Sequence, residues 1–187
     1  TIPGSVTAID DGAFLDCSRL VTINVSPENQ MYKDIDGVVF SKDGKTLLVY
    51  PVGNAQTAYA IPEGLTSIGG SAFSGCSSLT SLTIPESVTR IGDYAFIGCS
   101  SLTSITLPEG LTAIDRGTFS GCSSLTSLTI PGSVTSIGDY AFIGCSGLTS
   151  ITLPEGLTAI GHGAFRSCSS LEPEIRAEIQ RRFGSVF

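Results

Sequence analysis

The sequence, 187 residues long, predicts a mainly-β solenoid wound from one short turn after another. Three observations predict it. First, Cys76, Cys99, Cys122, Cys145 and Cys168 stand 23 positions apart, and the same phrase, close to LTSLTIPESVTxIGxxAFxGCSS, surrounds each. A fixed period in this range belongs to a leucine-rich-repeat turn rather than to a globule. Second, Leu82 and Ile84 alternate across Thr83, the two-residue period of a strand with one buried face. Third, only 14% of residues are charged and 22 are glycine, which suits a sheet with many turns and is too apolar for disorder. The expected architecture is a right-handed leucine-rich-repeat solenoid with two short parallel strands per turn.

The elements follow in order. Residues 1–19 form a partial repeat. Thr1-Ile2-Pro3 matches Thr83-Ile84-Pro85, so the sequence opens inside a repeat and reads as a fragment or processed product. Residues 20–78 read as one repeat enlarged by 36 residues, with halves at Leu20–Val25 and Ile61–Ser78. Its insert carries two strand-like runs, Val38–Phe40 and Leu47–Tyr50. Asp43-Gly44 between them is a strong hairpin signal, so a β-hairpin is expected to project from, or fold over, one edge of the solenoid. Four regular repeats then run 79–101, 102–124, 125–147 and 148–170. In each, Pro85 or its equivalent ends the first strand, and Val88 and Ile91 frame the second. Gly92, replaced by Asp115 and Asp10 elsewhere, suggests a positive-φ corner. Ala95, Phe96 and Cys99 return to the core. A lone turn cannot bury enough to fold, so stability must come from stacking.

A longer period lies above the first. Repeats 79–101 and 125–147 differ at three positions and 102–124 and 148–170 at five, whereas 79–101 and 102–124 differ at ten. The array looks like a 46-residue pair copied in tandem. The tail 171–187 changes period. Pro173 can open a helix and Gly184 can close it, with Ile175, Ile179 and Phe183 on one face. A helical cap on the last turn is expected.

A net charge of −7 argues against nucleic acid and anionic membranes, which both need clustered Lys and Arg. No stretch is long and apolar enough for a membrane span. In-register stacking points equivalent cysteines the same way, which does not suit disulfides; a ladder of free, buried thiols is expected. No CxxC exists and His162 is the single histidine, so no metal site and no cofactor are expected. No nucleophile–base pair or carboxylate couple recurs, so no catalytic residue is assigned and the chain does not read as an enzyme. The candidate ligand surface is a pair of outward hydroxyl rows: Ser81, Ser104, Ser127 and Ser150 beside Thr83, Thr106, Thr129 and Thr152. Tyr94 and Tyr140, two turns apart, are candidate aromatic anchors or ordinary packing. Three functions fit such rows: a binding face for protein or glycan, a solvated face on a structural stalk, and an ice-binding threonine ladder. The open first turn could associate end to end with another molecule.

The phrase IPESVTxIGxxAFxGC, as at 84–99, resembles the BspA-like leucine-rich-repeat family of microbial surface proteins, and the likeness runs through nearly the whole chain. The insert is similar to that family's long atypical repeat through Asn29, Tyr32, Asp36-Gly37-Val38 and Leu48-Val49-Tyr50-Pro51. The resemblance implies an extracellular or cell-surface location and adhesion to host or microbial proteins or glycans. The commoner leucine-rich-repeat signature is absent, so its horseshoe curvature is not expected.

Overall fold

The computed structural model describes residues 1–187. Thirteen strands and one helix follow in chain order: β1 (Tyr32–Ile35), β2 (Val38–Ser41), β3 (Thr46–Val49), β4 (Ala58–Ala60), β5 (Ser67–Ile68), β6 (Ser81–Thr83), β7 (Arg90–Ile91), β8 (Ser104–Ile105), β9 (Ala113–Ile114), β10 (Ser127–Thr129), β11 (Ser136–Ile137), β12 (Ser150–Thr152), β13 (Ala159–Ile160) and α1 (Pro173–Phe183). The chain winds as a β-solenoid. Each regular turn gives one strand to a first face (β4, β6, β8, β10, β12) and one to a second (β5, β7, β9, β11, β13). Neighbours run parallel in a 23-residue register: Ser81 opposes Ser104, Ser127 opposes Ser150, and Ser136 opposes Ala159.

The strands are short because each turn must bend after two or three residues. Leu82 is buried between exposed Ser81 and Thr83, as the alternation requires. Buried Pro85 stops the strand at the corner. After the second strand the chain returns along a third wall made of turns. Its backbone is still stitched from turn to turn. Phe73 N–H donates to Ala95 O (2.8 Å), Phe96 N–H to Thr118 O (2.9 Å), Phe119 N–H to Ala141 O (2.8 Å) and Phe142 N–H to Ala164 O (2.8 Å).

The third wall holds the densest packing. Phe73, Phe96, Phe119, Phe142 and Phe165 are buried and stack with centroids 5.3–5.4 Å apart. Beside them runs the thiol ladder. Cys99, Cys122, Cys145 and Cys168 each donate to the carbonyl of the phenylalanine one turn earlier, Phe73, Phe96, Phe119 and Phe142, at 3.0–3.2 Å. A thiol satisfies both demands of this slot: it is small and apolar, yet it offers a weak donor to a buried carbonyl. Cys17 departs from the ladder and is exposed. The turn above it places Gly53 in the cysteine slot, where a Cβ would lie 2.6 Å from Ser18 O.

Two expectations are corrected. The positive-φ corner is not at Gly92 but two residues later, at Ser71, Tyr94, Gly117, Tyr140 and Gly163 (φ 55° to 60°). A glycine stands at position 92 for close approach instead. A Cβ there would lie 2.7 Å from Gly70 N, and one on Gly138 would lie 2.7 Å from Arg116 N. The hairpin neither projects nor folds over an edge. β1, β2 and β3 form an antiparallel meander, and β3 then pairs in parallel with β5, Leu47 opposite Ile68. The insert thereby becomes part of the second sheet. The reason is that Leu47 and Tyr50 carry core side chains at solenoid positions: Tyr50 stacks on Phe73 at 5.1 Å and its N–H donates to Ala72 O. Within the stretch read as one enlarged repeat, Ala58–Ala60 pairs with Ser81–Thr83. Residues 56–78 are therefore a 23-residue turn with Tyr59 in the leucine slot, and the long turn is 20–55.

The C-terminal helix covers the last turn with buried Ile179, while Ile175 and Phe183 pack partly buried against the core. The four residues after it resume the third wall. Phe165 N–H donates to Val186 O (3.0 Å), and the Phe187 ring meets Phe165 at 6.0 Å. The aromatic column thus runs from Tyr50 to Phe187.

Candidate functional site

The first-sheet face presents the hydroxyl rows outward. Ser81, Thr83, Ser104, Thr106, Ser127, Thr129 and Thr152 are exposed and Ser150 is half-buried. Their hydroxyls make no hydrogen bond within the protein, in contrast to the threonines one residue earlier. Thr80, Thr103 and Thr149 each donate to the backbone carbonyl of the equivalent threonine one turn back, at 2.9–3.0 Å. One threonine row is spent on holding turns together, and the adjacent rows are left free for solvent or a ligand.

This face has an opening at its centre. Thr103 N–H donates to Thr80 O and Thr149 N–H to Thr126 O, but the equivalent bond between Thr126 and Thr103 is not made, and β8 and β10 do not pair. A shallow groove lies there, lined by Ser104, Thr106, Ser127 and Thr129 together with Glu109 and Pro131. The second sheet opens once as well, between β7 and β9. There the residue after the strand is Asp115 where other regular turns have Gly69, Gly92, Gly138 or Gly161. Its Cβ cannot enter the space that those glycines leave against the preceding turn, so the turns stand apart. The Asp115 carboxyl, pushed up by partial burial and by nearby Asp93, lies in the resulting crevice with Arg90.

Tyr94 and Tyr140 lie on the opposite corner, half-buried. Each ring rests on the glycine of the next turn: a Cβ on Gly117 would come 2.3 Å from the Tyr94 ring, and one on Gly163 would come 2.9 Å from that of Tyr140. Arg116 sits between the two rings, 5.9 Å from the Tyr94 centroid and 5.8 Å from that of Tyr140. His162 meets Tyr140 edge-on at 5.5 Å. This arrangement explains the two-turn period of the sequence. A tyrosine at this slot needs a glycine above it, so tyrosine turns and glycine turns alternate.

The sequence reading passed over a carboxylate row. Glu63, Glu86, Glu109 and Glu155 occupy one slot of the corner beside the first sheet, all exposed, with Gly132 interrupting the row. Its 23-residue spacing was visible in the sequence; that it borders the free hydroxyl rows was not.

Chemistry at the thiol ladder is suppressed. Burial pushes the Cys99 thiol up to about 12 and that of Cys168 up to about 11, so they stay neutral and unreactive at neutral pH. No three His, Cys, Asp or Glu side chains come together to hold a metal ion, and no helix is long and apolar enough to cross a membrane.

Comparison with known proteins matches this geometry to a family. The BspA type leucine rich repeat region matches residues 1–46 and 53–172 in six copies. The chain belongs to that family. Among solved structures, a leucine rich cell surface protein from Faecalibacterium prausnitzii is 34% identical with a TM-score of 0.86, over 98% of this chain and 50% of that one. The pneumococcal vaccine antigen PcpA is 28% identical with a TM-score of 0.81, over 91% of this chain and 42% of its own. A leucine-rich repeat protein from Eubacterium ventriosum is 26% identical with a TM-score of 0.68, over 89% of this chain and 57% of its own. This BspA-type chain therefore spans about half the length of the solved relatives it matches. No curated protein sequence matches it.

Proposed function

We propose that this BspA-type chain is a binding module of a surface-exposed or secreted protein, holding host or microbial proteins or glycans against its first-sheet face. One observation carries the reading: hydroxyls on consecutive turns face outward without internal partners, while the neighbouring threonine row is committed to the fold. Hydroxyls repeated at the turn spacing give many weak contacts, and multivalency raises avidity without one strong pocket. The surface location rests on the named relatives, one of which is a cell surface protein.

The test is direct binding of the chain to immobilised matrix proteins and a glycan array. A second sample carries Thr83, Thr106, Thr129 and Thr152 changed to Lys, with folding checked by circular dichroism. Saturable binding that the folded variant loses supports the proposal. Binding that survives moves the site to the tyrosine corner or to the meander. No binding by either sample leaves a structural spacer as the function.

A further inference from the structure

We infer that turn 102–124 is a tilting element: it rocks on the third wall, and Asp115 on the second sheet thereby sets the width of the groove on the first-sheet face.

The openings of the two sheets belong to this one turn, which gives β8 to the first sheet and β9 to the second. β8 stays paired with β6 of the turn before, and β9 with β11 of the turn after. The pairs that are missing are the converse ones, β9 with β7 before and β8 with β10 after. The turn is thus displaced toward the C-terminus on the second sheet and toward the N-terminus on the first. A single rigid turn that tilts gives this pattern.

The bonds between regular turns break at the same two places. Along the second sheet, Thr89 N–H donates to Thr66 O (3.0 Å), Thr135 N–H to Thr112 O (3.0 Å) and Thr158 N–H to Thr135 O (2.9 Å), but Thr112 N–H makes no bond to Thr89 O. The hydroxyls of Thr89, Thr135 and Thr158 repeat the pattern, and that of Thr112 again lacks its bond. On the first sheet the break falls at Thr126, whose N–H and hydroxyl both lack the bond that Thr103 and Thr149 make to the turn before.

The third wall is the pivot, because it does not open. Phe96 N–H still donates to Thr118 O and Phe119 N–H to Ala141 O, and the Phe119 ring lies 5.4 Å from the rings on either side. Asp115 drives the tilt. A Cβ on Gly92, Gly138 or Gly161 would lie 2.4–2.7 Å from a backbone nitrogen of the preceding turn. Asp115 carries that Cβ at the same corner, so the second-sheet side of its turn stands off from β7. With the third wall held, the first-sheet side swings the other way, toward β6 and off β10.

The Asp115 crevice and the groove lined by Ser104, Thr106, Ser127 and Thr129 are therefore two ends of one lever. Both bias the same element, which is the physical requirement for coupling between them, and such coupling is reciprocal. A ligand that draws Ser104 and Ser127 to the regular spacing must push Asp115 toward the preceding turn. The tilt needs no ligand; only this last consequence rests on the binding role proposed above.

The experiment measures residue-resolved amide hydrogen exchange by NMR on the whole chain and on two variants. Asp115→Gly removes the Cβ; Asp115→Ala removes the carboxylate and keeps the Cβ. The expected result is that D115G slows exchange ~10-fold or more at Thr112 and also at Thr126 on the other sheet, with Thr103 and Thr149 changed less than ~2-fold and D115A without effect at either opening. Slowing at Thr112 alone, or at neither, overturns the tilt. Equal slowing at Thr103 and Thr149 assigns the change to global stability and overturns it too, and closure by D115A overturns the role of the Cβ. None of these outcomes bears on the binding assay above, so the two readings fail separately.

Discussion

The third wall and the first-sheet face run side by side over the same turns, and they use opposite rules. On the third wall the aromatic column from Tyr50 to Phe165 is buried, its turns are stitched one to the next, and even the thiols from Cys99 to Cys168 are spent on backbone carbonyls. On the first-sheet face the hydroxyls are unspent and one pair of strands stands apart. The difference separates the part of each repeat that holds the protein together from the part available for recognition. Only the first tolerates no change, because a buried column loses contacts on both sides when one ring is removed.

Phe119→Ala tests that contrast most severely. It removes the middle ring of the column and leaves a cavity between Phe96 and Phe142; a loss of about 3–5 kcal/mol is expected by chemical denaturation. Thr106→Val, on the open face of the same turn, should change stability by less than about 0.5 kcal/mol. A large loss at Thr106 would show that the face is also structural.

The next effect is at the tyrosine corner. Gly117→Ala forces a Cβ into the Tyr94 ring and a side chain onto a backbone with φ of 59°. A loss of roughly 1–3 kcal/mol is expected. Tyr94→Gly in the same protein should recover part of it, since the clash disappears while the strained φ stays. No recovery would mean that the ring does not set the alternation of turns.

Alkali should reach the two regions differently. The Cys99 thiol is raised from 9.0 to about 12, so between those values the unfolded thiol ionises while the folded one does not. The unfolded state then binds fewer protons, and stability falls as pH rises, by up to about 1.4 kcal/mol per such thiol per pH unit. Thermal melts from pH 8 to 11 check the sign. In the native protein a thiol reagent should label Cys17 quickly and the other five cysteines only on unfolding. Fast labelling of Cys122 would show that the wall opens locally.

The smallest effect is expected at Asp115. Asp115→Gly should let the turns close between β7 and β9, stabilise by about 0.5–1 kcal/mol, and slow hydrogen exchange at the Thr112 amide. An unchanged exchange rate would assign the opening to another cause.

Much of this was legible in the sequence because a solenoid copies one local rule. The period, the buried alternation at Leu82 and Ile84, Phe96 and Cys99 in the core, and the helix between Pro173 and Gly184 all follow from spacing and side-chain type. The outward direction of Ser81 and Thr83 followed from the same alternation. The irregular part was harder. Ala58–Ala60 lacks the leucine that marks a strand, so the turn 56–78 was hidden until its pairing with Ser81–Thr83 showed Tyr59 in that slot. The positive-φ corner was misplaced because a tyrosine occupies it at 94 and 140, and sequence alone rates tyrosine there as unfavourable.

By itself, then, the sequence determined the repeat, the buried face of each strand and the capping helix, because these depend on contacts between neighbouring copies of one pattern. The tertiary structure alone decided how the meander enters the second sheet, why tyrosine and glycine turns alternate, and where each sheet opens. The meander joins Leu47 to Ile68 across a spacing that is not the period, and the other features turn on the space left between stacked backbones, which no spacing in a sequence states.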